Sequence, residues 1–65
     1  MEKVNINMAT QKELTRIIHI GKVRAEIIFI ARSKDKFKDI FELSNICGLG
    51  AIRMNDVINQ DLATV

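Results

Sequence analysis

Proline, tryptophan and tyrosine are absent from this 65-residue chain, and glycine occurs at only three positions. No proline interrupts a helix, and no tyrosine or tryptophan supplies a platform for stacking on nucleic acid bases. The single cysteine, Cys47, allows neither an internal disulfide nor a four-cysteine zinc site. The fold must therefore be held together by packing alone, with Cys47 expected as a buried thiol.

Long apolar runs are also missing. No stretch approaches the ~20 residues that span a bilayer, and residues 1–5 lack the apolar segment of a secretory signal. We therefore expect one soluble, cytoplasmic domain over residues 1–65, with no membrane contact. A chain of this size buries only about 60% of its unfolded surface, which leaves little room for a catalytic cleft beside the core. We expect no enzymatic activity.

Two segments of the chain repeat each other at an offset of 29 residues. The matched pairs are Leu14 with Leu43, Ile17 with Ile46, Ile20 with Leu49, Gly21 with Gly50, Val23 with Ile52, Arg24 with Arg53 and Ile28 with Val57. Each copy opens on a capping residue, Thr10 or Asp39, followed three residues later by a glutamate. The repeat predicts an all-α fold, a compact four-to-five-helix bundle of two pseudo-two-fold-related motifs at about 10–33 and about 39–61.

Apolar residues at helical spacing place the helices at about 10–18, 22–33, 39–46 and 50–60. The second helix is apolar on most sides and is expected in the middle of the bundle. It has Val23, Ile27, Ile30 and Ala31 on one face, with Ala25, Ile28 and Phe29 close beside them. The predicted buried residues of the third helix are Ile40, Leu43 and Ile46. Val4 and Ile6 are expected to tuck onto the core as an extended arm, and no strand is required.

Charge is unevenly distributed along the chain. Residues 12–38 contain eight basic and three acidic residues, a balance of +5, whereas residues 39–65 have a balance of −3. An anion would be attracted by the first half. The alternative is that these charged side chains only lie on solvent-exposed helix faces and bind no ligand.

The turns between paired helices have a chemical consequence. Gly48 and Gly50 suit a tight reversal, because glycine enters left-handed backbone conformations without penalty. Ile20 and Leu49 are expected to point into the core and fix each turn. The helix that follows begins with unpaired N–H groups at the positive end of its dipole. Each turn is therefore suited to hold a phosphate oxygen.

Five segments carry a resemblance to a known family: residues 4–7, 10–14, 20–26, 37–40 and 46–50. In these segments the chain resembles a tandem helix-hairpin-helix domain, most closely the DNA-binding domain of the competence protein ComEA family. The resemblance implies binding of double-stranded DNA without sequence specificity, with both hairpins straddling the minor groove and contacting the backbone of each strand.

The resemblance also implies which residues bind DNA. The phosphate contacts fall on the backbone amides of His19, Gly21, Lys22, Gly48, Gly50 and Ala51, with side-chain charge from Lys22, Arg24 and Arg53. No cofactor and no metal site are expected. In some relatives, carbonyl oxygens of a hairpin hold a monovalent cation that helps to bridge to DNA. For this chain, such a cation is suggested by the resemblance alone.

The chain departs from the family pattern in both hairpins. Ile18-His19 stands where the family usually has Pro-Gly, so residue 19 must adopt a backbone conformation that side chains disfavour. Ala51 stands where a basic residue would strengthen the second hairpin. We therefore expect weak DNA binding. Two interpretations of the His19 ring stay open: it contacts a phosphate, or it is a turn residue without a role.

Two other interpretations remain for the whole domain. One is a protein-interaction or scaffold module on the same fold, which the −3 balance of residues 39–65 favours. The other is that DNA binding needs a homodimer or a larger parent chain, because two imperfect hairpins offer little avidity alone. The sequence does not separate a role in competence from one in DNA repair, recombination or a mobile element.

Overall fold

The computed structural model describes residues 2–65; Met1, the first residue of the expected domain, lies outside the described residues. The elements follow in chain order: strand β1 (Val4–Asn5), helices α1 (Gln11–Leu14) and α2 (Lys22–Lys34), a 3-10 turn (Ile40–Glu42), helices α3 (Leu43–Ile46) and α4 (Gly50–Gln60), and strand β2 (Ala63–Thr64). The predicted helical class with two helical hairpins, α1 with α2 and α3 with α4, is confirmed.

Both predicted capping arrangements form at the starts of the two copies. The Thr10 hydroxyl accepts from the Glu13 N–H at 3.1 Å, and the Glu13 carboxylate accepts from the Thr10 N–H at 2.9 Å, which lowers the pKa of Glu13. Asp39 and Glu42 repeat this arrangement before α3. Helix α1 ends at Leu14, earlier than predicted, and turns continue to His19.

The core is built from matched residues of the two copies. The buried pairs are Leu14 with Leu43, Ile20 with Leu49, Ala25 with Met54 and Ile28 with Val57. Ile20 and Leu49 therefore lie in the core as predicted. The 29-residue repeat is thus preserved in the packing as well as in the sequence.

Helix α2 buries a narrower face than a helix in the middle of the bundle would. Ala25 and Ile28 are buried, whereas Val23, Ile27 and Ile30 are exposed. The prediction of a central helix was wrong because a domain this small covers α2 on one side only. Since α2 is apolar on most sides, its periodicity could not identify that side. In α3, Leu43 is buried as predicted, but Ile46 is partly exposed.

The two ends of the chain meet in a short parallel ladder, which the sequence did not predict. Val4 pairs with Ala63 and Asn5 with Thr64. Val4 and Ile6 are buried, which confirms the extended arm. Strands of two residues are too short to leave an alternating pattern in the sequence. Within residues 2–65, no helix is long and apolar enough to cross a membrane.

Candidate nucleic-acid interface

The two hairpins share a left-handed residue at the same position of the repeat. His19 has φ of 67° and Gly48 has φ of 64°. The strained conformation expected at residue 19 is therefore present, in a residue that carries a side chain. The hairpins then diverge, because Gly50 is again left-handed at φ 77° whereas Gly21 is extended at φ −95°. The second hairpin thus requires glycine twice for its backbone, and the first hairpin does not require it at Gly21.

Six hairpin amides are free of protein acceptors. Within residues 2–65, no hydrogen bond uses the backbone N–H of His19, Gly21, Lys22, Gly48, Gly50 or Ala51. Neighbouring amides are satisfied, since the Ile18 N–H donates to the Gln60 side chain at 2.9 Å and the Ile20 N–H donates to the Ile17 carbonyl at 3.0 Å. These six amides are the ones named from the sequence as phosphate contacts, and they are free to meet an external acceptor.

Open space surrounds the hairpin glycines. A Cβ built on Gly21, Gly48 or Gly50 would meet no protein atom within 4 Å, and all three residues are exposed. Neither backbone conformation nor packing inside the domain therefore requires glycine at position 21. An external group that approaches the backbone closely would require it, because a Cβ would then stand in the way.

Arg24 ties the two hairpins together. Its guanidinium donates from Nη1 to the His19 carbonyl at 3.2 Å and from Nε to the Cys47 carbonyl at 3.2 Å. One half-buried side chain thus contacts both turns. In the first turn it contacts the left-handed residue His19, and in the second it contacts Cys47, the residue before the left-handed Gly48. The two sets of free amides lie at neighbouring turns as a result.

Helix α4 supplies two further contacts to the first hairpin. The His19 Nε2 lies 2.8 Å from the Asp56 carboxylate. Four residues later, the Gln60 side-chain amide donates to the Arg16 carbonyl at 3.1 Å and accepts from the Ile18 N–H. The His19 ring is therefore held against α4. Sequence analysis missed Asp56 and Gln60; their spacing places them on one helix face, but nothing in the sequence shows that this face meets the first hairpin.

The basic side chains near the hairpins are differently placed. Lys22 and Arg53 are exposed, and Arg24 is engaged with the two carbonyls. Among the described residues 2–65, the salt bridge of a lysine or arginine joins Lys3 to Asp61, so neither Lys22 nor Arg53 is paired with a carboxylate. Ala51, at the position that matches Lys22, leaves the second hairpin without a cation there.

An open groove lies beside each hairpin, and the two grooves match through the repeat. Thr15, Lys22 and Ala25 line the first, and their counterparts Ser44, Ala51 and Met54 line the second. Lys12 and Lys22 make the first groove basic, whereas asparagines at 45 and 55 leave the second neutral. The difference in charge between the two halves of the sequence is therefore also present beside the hairpins: the groove of the first hairpin is basic and that of the second is neutral.

The remaining candidate groups offer little chemistry. Cys47 is buried, and burial raises the pKa of its thiol, which makes it a poor nucleophile. Within the described residues, no group of three or more His, Cys, Asp or Glu side chains is arranged to hold a metal ion.

Two helical hairpins with exposed turns, packed as matched halves of one core, define a tandem helix-hairpin-helix module. A family model described as "Helix-hairpin-helix motif" matches residues 1–59. The chain belongs to this family, whose members are tandem helix-hairpin-helix domains of the ComEA type. Domains of this kind are generally associated with non-specific DNA binding. No curated protein and no solved structure matches the chain.

Proposed function

We propose that this domain binds duplex DNA without sequence preference, with the backbone amides of its two hairpins holding phosphates of the two strands across the minor groove. The observation that carries the proposal is a pair of free amide sets on turns tied together by Arg24: those of His19, Gly21 and Lys22, and those of Gly48, Gly50 and Ala51. We expect such a module to act in the cytoplasm, in a process that uses DNA regardless of its sequence, such as competence or DNA repair.

The geometry of the hairpins supports phosphate binding in three respects. Backbone N–H groups at the start of a helix combine unpaired donors with the positive end of the helix dipole. The open space around Gly21 and Gly50 lets a phosphate approach the backbone. Unpaired Lys22 and Arg53 add charge that attracts the DNA backbone from a distance. None of these groups reads a base edge, so the contact would be indifferent to sequence.

A salt titration tests the proposal. We expect the affinity for a fluorescently labelled duplex of random sequence, measured by anisotropy, to fall with salt at a log–log slope of about −2 to −4. The estimate assumes one phosphate per hairpin and a few cations. Binding that ignores salt, or a strong preference for one of several unrelated duplexes, would contradict it.

A matched pair of charge reversals locates the contact. Lys22→Glu should weaken duplex binding markedly with little change in thermal stability, because Lys22 is exposed and unpaired. Lys36→Glu makes the same change of net charge beyond the other end of α2, a helix of 13 residues that is about 20 Å long. It should weaken binding much less. Equal effects of the two variants would remove the first hairpin from the site.

A protein-interaction module is the second candidate function, and the exposed apolar side chains of α2 favour it. Ile27, Phe29 and Ile30 all remain exposed on this helix, and exposed apolar patches often mark partner surfaces. The same titration separates the candidates, because a partner-binding module has no reason to bind DNA. Complete absence of duplex binding even at low salt would favour the protein-interaction function.

A further inference from the structure

Two strongly exposed apolar side chains lie at matching positions next to the free amides. Val23 is 72% exposed and follows Lys22, and Ile52 is 83% exposed and follows Ala51. Both belong to the first turn of their helices, where side chains lean back toward the helix start. Each side chain therefore lies beside the turn whose amides are free.

Their position distinguishes these two side chains from the other exposed apolar residues. Single exposed apolar side chains are common on proteins and need no explanation. On α2, however, Ile27 and Ile30 are matched in the repeat by Asp56 and Asn59. Phe29 and Ile58 are also an exposed pair at matching positions of the repeat, but they lie about two helical turns farther from the hairpins. Val23 and Ile52 are the exposed pair that flanks both amide sets.

We propose that Val23 and Ile52 pack against the deoxyribose rings that line the minor groove, an inference that rests on the proposed function. A phosphate held by the amides of Gly21 or Gly50 brings its covalently attached sugar within reach of the next helical residues. The sugar presents C–H surface, and its contact with an aliphatic side chain removes apolar area from water. Every nucleotide offers the same surface, so the contact preserves indifference to sequence.

The contact also offsets the weakness of the two hairpins. The second hairpin lacks a lysine at Ala51, so apolar burial at Ile52 supplies affinity where charge does not. This contribution differs from that of the cations in one measurable respect. An apolar contact releases no counterions, so it strengthens binding equally at every salt concentration.

The substitutions Val23→Thr and Ile52→Thr, singly and combined, test the inference. Threonine keeps the β-branched shape and a similar helix propensity, while a hydroxyl replaces a methyl group of Val23 and the ethyl group of Ile52. We expect the double variant to bind the random duplex about three- to tenfold more weakly than wild type, with an unchanged salt slope. Lys22→Gln should instead reduce the slope by about 1.

Ile30→Thr is the matched control. Ile30 is 49% exposed on α2, about 10 Å beyond Val23. This variant should bind DNA as wild type does, and all the threonine variants should keep the wild-type unfolding midpoint, because their side chains lie outside the core. An equal loss of affinity in Ile30→Thr, or an altered salt slope in the double variant, would overturn the inference.

The remaining outcomes separate this inference from the function on which it rests. If wild type binds with the expected salt slope and the double variant binds equally well, the sugar contact is refuted and phosphate binding stands. If wild type fails to bind any duplex at low salt, both are refuted together.

Discussion

Alanine substitutions at Gly21 and Gly50 separate the roles of these glycines in folding and in binding. The two residues occupy matching positions of the repeat, and a Cβ at either meets no protein atom within 4 Å. Their backbones differ, since Gly50 has φ of 77° and Gly21 has φ of −95°. Alanine is therefore strained at Gly50 and unstrained at Gly21, while both methyl groups would stand at the surface proposed to meet DNA.

The structure sets the size of each effect on stability. A left-handed backbone costs a residue with a Cβ about 1–2 kcal/mol, so Gly50→Ala should lower the unfolding midpoint by roughly 5–15 °C. A domain of this length has a stability of about 3–10 kcal/mol, so the variant still folds at low temperature. At Gly21, alanine is a poorer helix cap but restricts the unfolded chain, and these terms largely cancel. Gly21→Ala should keep the midpoint within a few degrees.

Binding should respond differently from stability. Both variants should bind a random duplex at least fivefold more weakly than wild type at a temperature where each is folded, because a methyl group holds the phosphate away from the amide. Circular dichroism gives the midpoints and fluorescence anisotropy gives the affinities. Wild-type affinity in folded Gly21→Ala would refute the reasoning, since it would show that no group approaches the backbone there.

Two further predictions concern Arg24 and Cys47. Arg24→Met should lower the free energy of unfolding by about 1–2 kcal/mol in urea titrations, because it removes the hydrogen bonds to both hairpin carbonyls. Arg53→Met, the matched change at an exposed position, should leave stability unchanged, and an equal loss in both would contradict the bridging role of Arg24. Burial raises the pKa of the Cys47 thiol above its usual 9.0, so the folded state holds this proton more tightly than the unfolded state. Stability should therefore fall as pH rises from about 8 to 10, by more in wild type than in Cys47→Ala, and parallel pH profiles would refute it.

The local features of the fold were predictable because they depend on residues close together in the chain. The capping residues Thr10 and Asp39 and the turn residues Ile20 and Leu49 take their expected places. Each is determined by its own helix or turn, and because of the 29-residue repeat each feature could be recognised in two copies. The sequence therefore predicted both hairpins, whereas the binding of phosphate by their amides stays a prediction.

Features that depend on contacts between distant residues could not be predicted. The buried face of α2 is the side that meets the other helices, and the sequence of a helix that is apolar on most sides does not indicate which side that is. The bridge from Arg24 to the Cys47 carbonyl joins residues 23 positions apart, and the contact between His19 and Asp56 joins residues 37 apart. Arg24, named from the sequence as a source of charge near DNA, and His19, whose ring was left with two interpretations, are thus engaged within the domain.

This engagement changes the physical argument for DNA binding. A hairpin with few cations binds a phosphate weakly, so the pair can be effective only if binding of one turn brings the other close to its own phosphate. Flexible turns would lose that advantage, because ordering them on DNA would consume free energy. Arg24 and the contacts from Asp56 and Gln60 to the first hairpin hold the turns in place within the domain itself. If the domain binds DNA as proposed, Arg24 contributes by preorganising both amide sets and not by contacting a phosphate. The loss of Arg24 should then weaken binding by more than the loss of one positive charge does.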